Sequence, residues 1–212
     1  MLKKKQTIST INWKEAIKKL VLQLGPGGLV GAMAAVVLGV VAISKQVISL
    51  TIKFQSLQYA LLQTSGSVWE AGRSMQFLLD LNARFGASLL TTTERWLKFR
   101  TAARQSGLTM IETKKIFESV TKASAVLGLQ TDELKGVYLA LEQMLSKGKV
   151  TTEELRRQLG ERLPGAMGIM ASALGKTIPE LDKMLKAGEV LSSEALPAFA
   201  EALESAYGIE LV

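Results

Sequence analysis

The chain has 212 residues, a formal net charge of +7, no cysteine and no histidine. Without cysteine there is no disulfide framework and no thiol chemistry, and without histidine the usual neutral-pH base and the commonest metal ligand are missing. Ser-His-Asp and Cys-His catalysis and zinc sites built on His or Cys are therefore excluded for this chain.

The charge is localised. Of 26 basic and 19 acidic side chains, eight lysines and Glu15 fall in residues 1–53, leaving 18 of each sign beyond. The basic character is thus N-terminal. A basic arm suits anionic lipid or DNA phosphate, but the balanced remainder does not read as a sequence-specific nucleic-acid-binding body.

Asn12 and Glu15 have the spacing of a capping box, followed by Ala16, Ile17, Leu20, Val21 and Leu24 at helical intervals. With Lys14 and Lys18 opposite, this is a basic amphipathic helix, suited to a membrane surface or to an ordinary solvated face. Between Lys19 and Lys45 no charge occurs, and Pro26–Ser44 is apolar all round. At the α-helical rise it would be about 28 Å long, close to a hydrocarbon core of about 30 Å. Gly27, Gly31, Ala35 and Gly39 recur every four residues and give one face small enough for close helix approach. Three readings stay open: a membrane-competent helix, a helix buried among copies of the same chain, and a signal peptide lacking a clear Ala-x-Ala site. Lysines on both sides leave its orientation open.

From Gln46 to Thr64 neither Gly nor Pro interrupts the chain, and a helix is favoured over the strand that alternation at 48–54 would allow. Ser65-Gly66-Ser67 ends it. A helix from about Val68 to Phe85 carries Met75, Leu78, Leu79 and Leu81, and Gly86 stops it. Thr91 with Glu94 predicts a capped start for the helix of Trp96, Leu97, Phe99, Ala102 and Ala103, closed by Ser106-Gly107. The next starts at Thr109 or Glu112 and ends before Gly128. Thr131 is expected to cap another, with Asp132 and Glu133 in its first turn and Lys147-Gly148-Lys149 at its end. Thr151 with Glu154 and Thr177 with Glu180 repeat the capping box, and Ser192 or Ser193 opens a last helix with Pro197 early in it. Lys147-Gly-Lys-Val150 and Lys186-Ala-Gly-Glu-Val190 hold similar places after apolar helices; shared cap chemistry suffices to explain this. The expected fold is all-α: extended apolar N-terminal helices over residues 1–65, then a small multi-helix domain over 66–212.

No enzyme constellation emerges. Glu153, Glu154 and Glu161 are carboxylates, but the first two open a helix, where acids favour the dipole. Gly25-Pro-Gly-Gly28 lacks the Lys and Ser/Thr of a phosphate loop. The dipeptides Glu118-Ser119 and Glu204-Ser205 stand without further matching motifs. No cofactor or metal is expected.

A longer pattern runs through Phe77-Leu-Leu-Asp-Leu-Asn-Ala-Arg-Phe-Gly86, Phe99–Leu108, Ile116–Val120 and Ala125–Glu133. It continues through Ala140–Val150, Glu154-Leu-Arg-Arg-Gln-Leu-Gly-Glu-Arg-Leu-Pro-Gly165, Glu180–Leu185, Gly188–Leu191 and Leu196-Pro197. In order and spacing, residues 77–205 resemble the N-terminal region of tape measure proteins from long-tailed bacteriophages. The motif positions are Lys147, Gly148, Leu155, Arg156, Leu159, Gly160, Leu163 and Pro164. The resemblance implies a non-enzymatic, mostly helical virion protein of the tail tube lumen or tip, which sets tail length and leaves ahead of the DNA through the host inner membrane. Implied partners are further copies of itself in small number, tail tube and tip or hub proteins, and tail assembly chaperones. Family members are usually much longer, so a ruler role is not expected of this chain alone. From the residues, the alternative is a single-span membrane protein with a cytosolic helical domain.

Overall fold

The computed structural model describes residues 45–208, with side chains from residue 52 onward. The apolar segment Pro26–Ser44 and its Gly27, Gly31, Ala35 and Gly39 face lie outside the described residues, as do the expected helices before residue 45. Within them the chain is all-helical, as expected. Eight α-helices are α1 (Lys45–Thr64), α2 (Val68–Phe85), α3 (Leu89–Gln105), α4 (Met110–Val126), α5 (Thr131–Lys147), α6 (Ala166–Ala173), α7 (Ile178–Ala187) and α8 (Ser192–Tyr207). Between α5 and α6, Glu153–Leu159 winds as a π-helix.

Local chemistry sets most boundaries. Ser67 accepts the Glu70 N–H at the start of α2, and Gly86 closes that helix in the left-handed region at φ 66°. Thr177/Glu180 forms the reciprocal capping box that its spacing predicts, and of the two starts left open for α4 the structure takes Thr109 as the cap, with Glu112 completing a box on it. Two predicted starts are corrected. α3 begins at Leu89 under a Ser88 cap, and Thr91 is a buried residue inside its first turn. Thr92 and Thr93 hydroxyls donate back to the carbonyls of Ser88 and Leu89, which satisfies buried polar groups within the helix. α5 is preceded by Gln130, whose N–H is taken by the Glu133 carboxylate at 2.7 Å, and Thr131 is already helical.

One continuous core joins all these helices. Leu61 of α1 packs into it with Leu78 and Leu81 of α2, Phe99 of α3, Ile116 of α4, Leu141 and Met144 of α5 and Phe199 of α8. At its centre Phe117 is ringed by Phe77, Trp96, Phe99 and Tyr138 from three other helices, with ring-centroid distances of 6.3, 5.2, 5.6 and 4.2 Å. The Phe117 and Tyr138 rings stack with an interplanar angle of 7°. Tyr138 is fully buried, its hydroxyl bonded to that of Thr121 at 2.5 Å, and burial pushes its phenol well above the ordinary value.

Candidate functional site

The first two motif positions, Lys147 and Gly148, lie in one of a pair of turns held face to face. After α5 and after α7 the chain leaves the helix through a left-handed glycine, Gly148 at φ 71° and Gly188 at φ 72°. A side chain with a Cβ is strained there, which is why both turns use glycine. Two residues on, each chain places a buried valine, and the two strands of the turns meet. Lys149 and Leu191 form an isolated antiparallel bridge. The Val150 N–H donates to the Val190 carbonyl at 2.8 Å, and the Ser192 N–H donates to the Gly148 carbonyl at 3.2 Å. The two Gly-x-Val segments that the sequence left as parallel cap chemistry are therefore direct partners, and they tie residues about forty apart into a clasp. Lys149 also lies across Gly188, where an added Cβ would sit 3.3 Å from its Nζ.

An internal ion pair closes the clasp. Glu154 is 1 % exposed, its Oε1 accepts from Lys147 Nζ, and its Oε2 accepts from the Thr151 hydroxyl. Thr151 and Glu154 thus meet side chain to side chain, whereas the predicted capping box would have turned Glu154 onto the Thr151 backbone N–H. Burial pushes the Glu154 carboxyl up, but the bonds from Lys147 and Thr151 outweigh it and hold it below the usual carboxylate range.

In each turn a glutamate follows the glycine by six residues, Gly148 to Glu154 and Gly188 to Glu194. That is the Gly-to-Glu spacing of a calcium-binding helix–loop–helix turn. The positions that would supply the first, third and fifth calcium ligands here hold Gln143, Leu145 and Lys147, and Lys183, Leu185 and Ala187. These residues do not fit a divalent cation: the fifth position of the first turn is itself a cation, and its ammonium occupies the Glu154 carboxylate. Among the described residues no cluster of three or more carboxylates stands ready for a metal. Millimolar calcium and an excess of chelator are both expected to leave the melting temperature unchanged in a thermal scan; a rise of several degrees with calcium would contradict this account.

The remaining motif residues serve the same device. Leu155, Leu159 and Leu163 are fully buried and carry the π-helix into the core against α5. The Gly160 N–H reaches back five residues to the Leu155 carbonyl at 3.0 Å, the signature of the wider π turn. A Cβ on Gly160 would run into the Arg156 carbonyl, so the turn requires a glycine. Gly160→Ala is accordingly expected to cost about 1–3 kcal/mol, read as a lowered urea midpoint. Arg156 bridges to Asp182 of α7 at 3.0 Å, and Asp182 also pairs with Lys186 at 2.6 Å. Pro164 is exposed, and its carbonyl accepts the Tyr207 hydroxyl from the end of α8 at 3.0 Å. All eight motif residues thus fall on the π-helix, its flanks, or the turn it is clasped to.

Sequence reasoning missed two charge pairs, each with one buried partner. Arg100 of α3 donates to Glu70 of α2 at 2.5 Å and to Ser65 at 2.6 Å. Glu142 of α5 faces Arg95 of α3 at 3.4 Å, and burial raises its carboxyl despite that arginine. Neither pair has a local sequence signal, because the partners are 30 and 47 residues apart.

The clasp, the π turn and the ringed aromatic core define an all-helical scaffold over the described residues. The family described as tape measure protein matches residues 45–208, which spans every helix described here. A probable tape measure protein of Salmonella phage Felix O1 (isolate Felix O1-VT1) is 34 % identical over 175 residues, covering 82 % of this chain. The chain belongs to the tape measure protein family. It spans 22 % of the length of that relative. No solved structure matches it.

Proposed function

We propose that this chain is a structural component of a bacteriophage tail, housed in the tail tube lumen or at its tip, where it contributes to tail length and assembly and then to genome delivery. The observation that carries the reading is the match of the family over residues 45–208, the same residues that form the clasped bundle. The role is mechanical. The bundle is a folded unit along a longer helical assembly, present in a few copies and chaperoned during assembly. It contacts tail tube subunits and hub or tip proteins.

The N-terminal composition suits the delivery step. Pro26–Ser44 is uncharged and about as long, when helical, as a bilayer core is thick, and eight lysines in residues 1–53 favour an anionic surface. On release from the tube this segment would enter the host inner membrane, with Gly27, Gly31, Ala35 and Gly39 packing copy against copy. Among the described residues no helix is long and apolar enough to cross a membrane.

Mass spectrometry of purified tails, stripped of heads and DNA, tests the location. Peptides from residues 45–208 in stoichiometric association with tube protein are expected. Their absence from tails, with the chain found in membranes of uninfected cells, would favour a single-span membrane protein instead.

A further inference from the structure

The turn between α1 and α2 and the junction of α3 and α4 enclose a cleft of about 320 Å³, lined by Thr64, Ser65, Gly66, Glu70, Arg100, Arg104, Leu108, Met110 and Thr113. Its lining carries Arg100 and Arg104 against Glu70, a net positive charge. Arg100 forms the floor, 7 % exposed and bound to Glu70 and Ser65. Arg104, one turn further along α3, lines the same cleft, is exposed and has no acidic partner among the described residues. Arg73 and Lys114 add two more cations within electrostatic reach, and neither is paired with a carboxylate among the described residues. Lys114 lies over the Phe77 ring at 5.2 Å, and its ammonium is pushed below the ordinary value by burial and by the positive charges of Arg73 and Arg100. Glu70 is the carboxylate in this group, and it is already held by Arg100. The nearby Glu112 carboxylate is turned onto the Thr109 cap.

The rim is apolar. Val68, Trp69 and Ile111 are exposed at 56, 64 and 81 %, on the two helix starts that flank the cleft. Trp69 shares a face of α2 with Arg73, and Ile111 shares a face of α4 with Lys114, by helical spacing. Exposed tryptophan beside under-neutralised arginines is the composition of an anchoring patch for another protein. We infer that this cleft binds an acidic, apolar-anchored segment of a partner protein, with a carboxylate seated at Arg104 above the Arg100 floor and apolar side chains against Trp69 and Ile111.

Two other occupants fit less well. The chain's own residues 1–53 hold Glu15 as their single acidic side chain against eight lysines, so they offer little to seat a carboxylate at Arg104. Nucleic acid binds through a series of phosphates along a charged track, whereas this cleft offers two arginines beside a carboxylate, with exposed apolar side chains on the adjoining helix starts.

The test uses the full chain in a non-ionic detergent and fluorescence anisotropy with three labelled probes. These are a 15-residue helical peptide of Glu and Leu, the same peptide with Glu replaced by Gln, and a 15-nucleotide oligothymidine. The acidic peptide is expected to bind and to weaken about tenfold or more in Arg104→Glu and in Trp69→Ala, with the Gln peptide binding weakly. Both substitutions are on exposed side chains, and unchanged circular dichroism would show that the fold survives. Absence of acidic-peptide binding at low salt would overturn the proposal, as would binding indifferent to both substitutions. So would oligothymidine binding more tightly and responding to Arg104→Glu. A dimer in sedimentation that Arg104→Glu dissolves would assign the cleft to a second copy instead.

Discussion

Replacing Phe117 with alanine is expected to lower the unfolding free energy by about 3–5 kcal/mol. The side chain is fully buried and contacts aromatic rings from α2, α3 and α5, so no single helix can relax to fill the space. The loss combines the transfer of the ring to water with a cavity walled by rigid aromatics, and it removes the stacked contact with Tyr138. A domain of this size has roughly 5–15 kcal/mol in hand, so the substitution would consume a large share of it. Phe117→Leu keeps most of the volume and is expected to cost about 1–1.5 kcal/mol. Urea unfolding followed by circular dichroism measures both. Near-equal midpoints for Phe117→Ala and the parent would show that the aromatic ring is not the centre of the core.

The second large effect belongs to the clasp, and it carries a pH signature. In the parent chain the Glu154 carboxyl is held below its ordinary range, so its contribution to stability is present above the unfolded value near 4.5 and is lost as the pH falls through the folded value. Lys147→Met removes the ammonium and leaves a carboxylate that is 1 % exposed with the Thr151 hydroxyl as its remaining side-chain partner. Stranding a buried charge costs about 3–5 kcal/mol; because Lys147 is half exposed and its pair partly screened, about 2–3 kcal/mol at neutral pH is expected here. Burial now dominates, so the Glu154 carboxyl rises above its ordinary range and the sign of the pH dependence reverses. The destabilisation is full at neutral pH and shrinks on acidification, as the carboxyl takes up a proton. Melting temperature against pH, between 4 and 8, reads this directly. A parallel downward shift of the Lys147→Met curve at all pH values would mean that Lys147 acts through packing rather than charge. Glu154→Gln is the companion: it keeps the Thr151 contact, frees Lys147 to reach water, and is expected to cost less than Lys147→Met.

The parts of this architecture legible in the sequence are those written in adjacent residues. Thr177 with Glu180 declares a helix start because cap and third residue are fixed by local geometry, and the start of α4 narrows to Thr109 or Glu112, which are the two halves of one box. Gly86, Gly148 and Gly188 declare helix ends because a left-handed residue without Cβ closes them. The family pattern marked Leu155, Leu159, Gly160 and Leu163 without saying why. The reason is a π turn, whose extra residue per turn leaves no trace in helical spacing and whose tight closure at Gly160 excludes a methyl group. The failures share a cause as well. Thr91 and Thr131 match a cap pattern, but Ser88 and Gln130 start their helices earlier, and the core then buries Thr91. Arg100 with Glu70 and the bridge between Lys149 and Leu191 are choices of partner across the fold, and Lys147 with Glu154 follows from the path of the turn that joins α5 to the π-helix. The two Gly-x-Val turns are alike because they are the two halves of one clasp, a relation that only their meeting in space reveals.

The most direct test of the central claim is cryo-electron microscopy of intact and DNA-emptied phage particles. The account predicts helical density in the lumen or tip of intact tails into which the 45–208 bundle fits with its α5–α7 clasp, and its loss from emptied ones. A lumen without such density before ejection, or the bundle found only outside the tail, would contradict it.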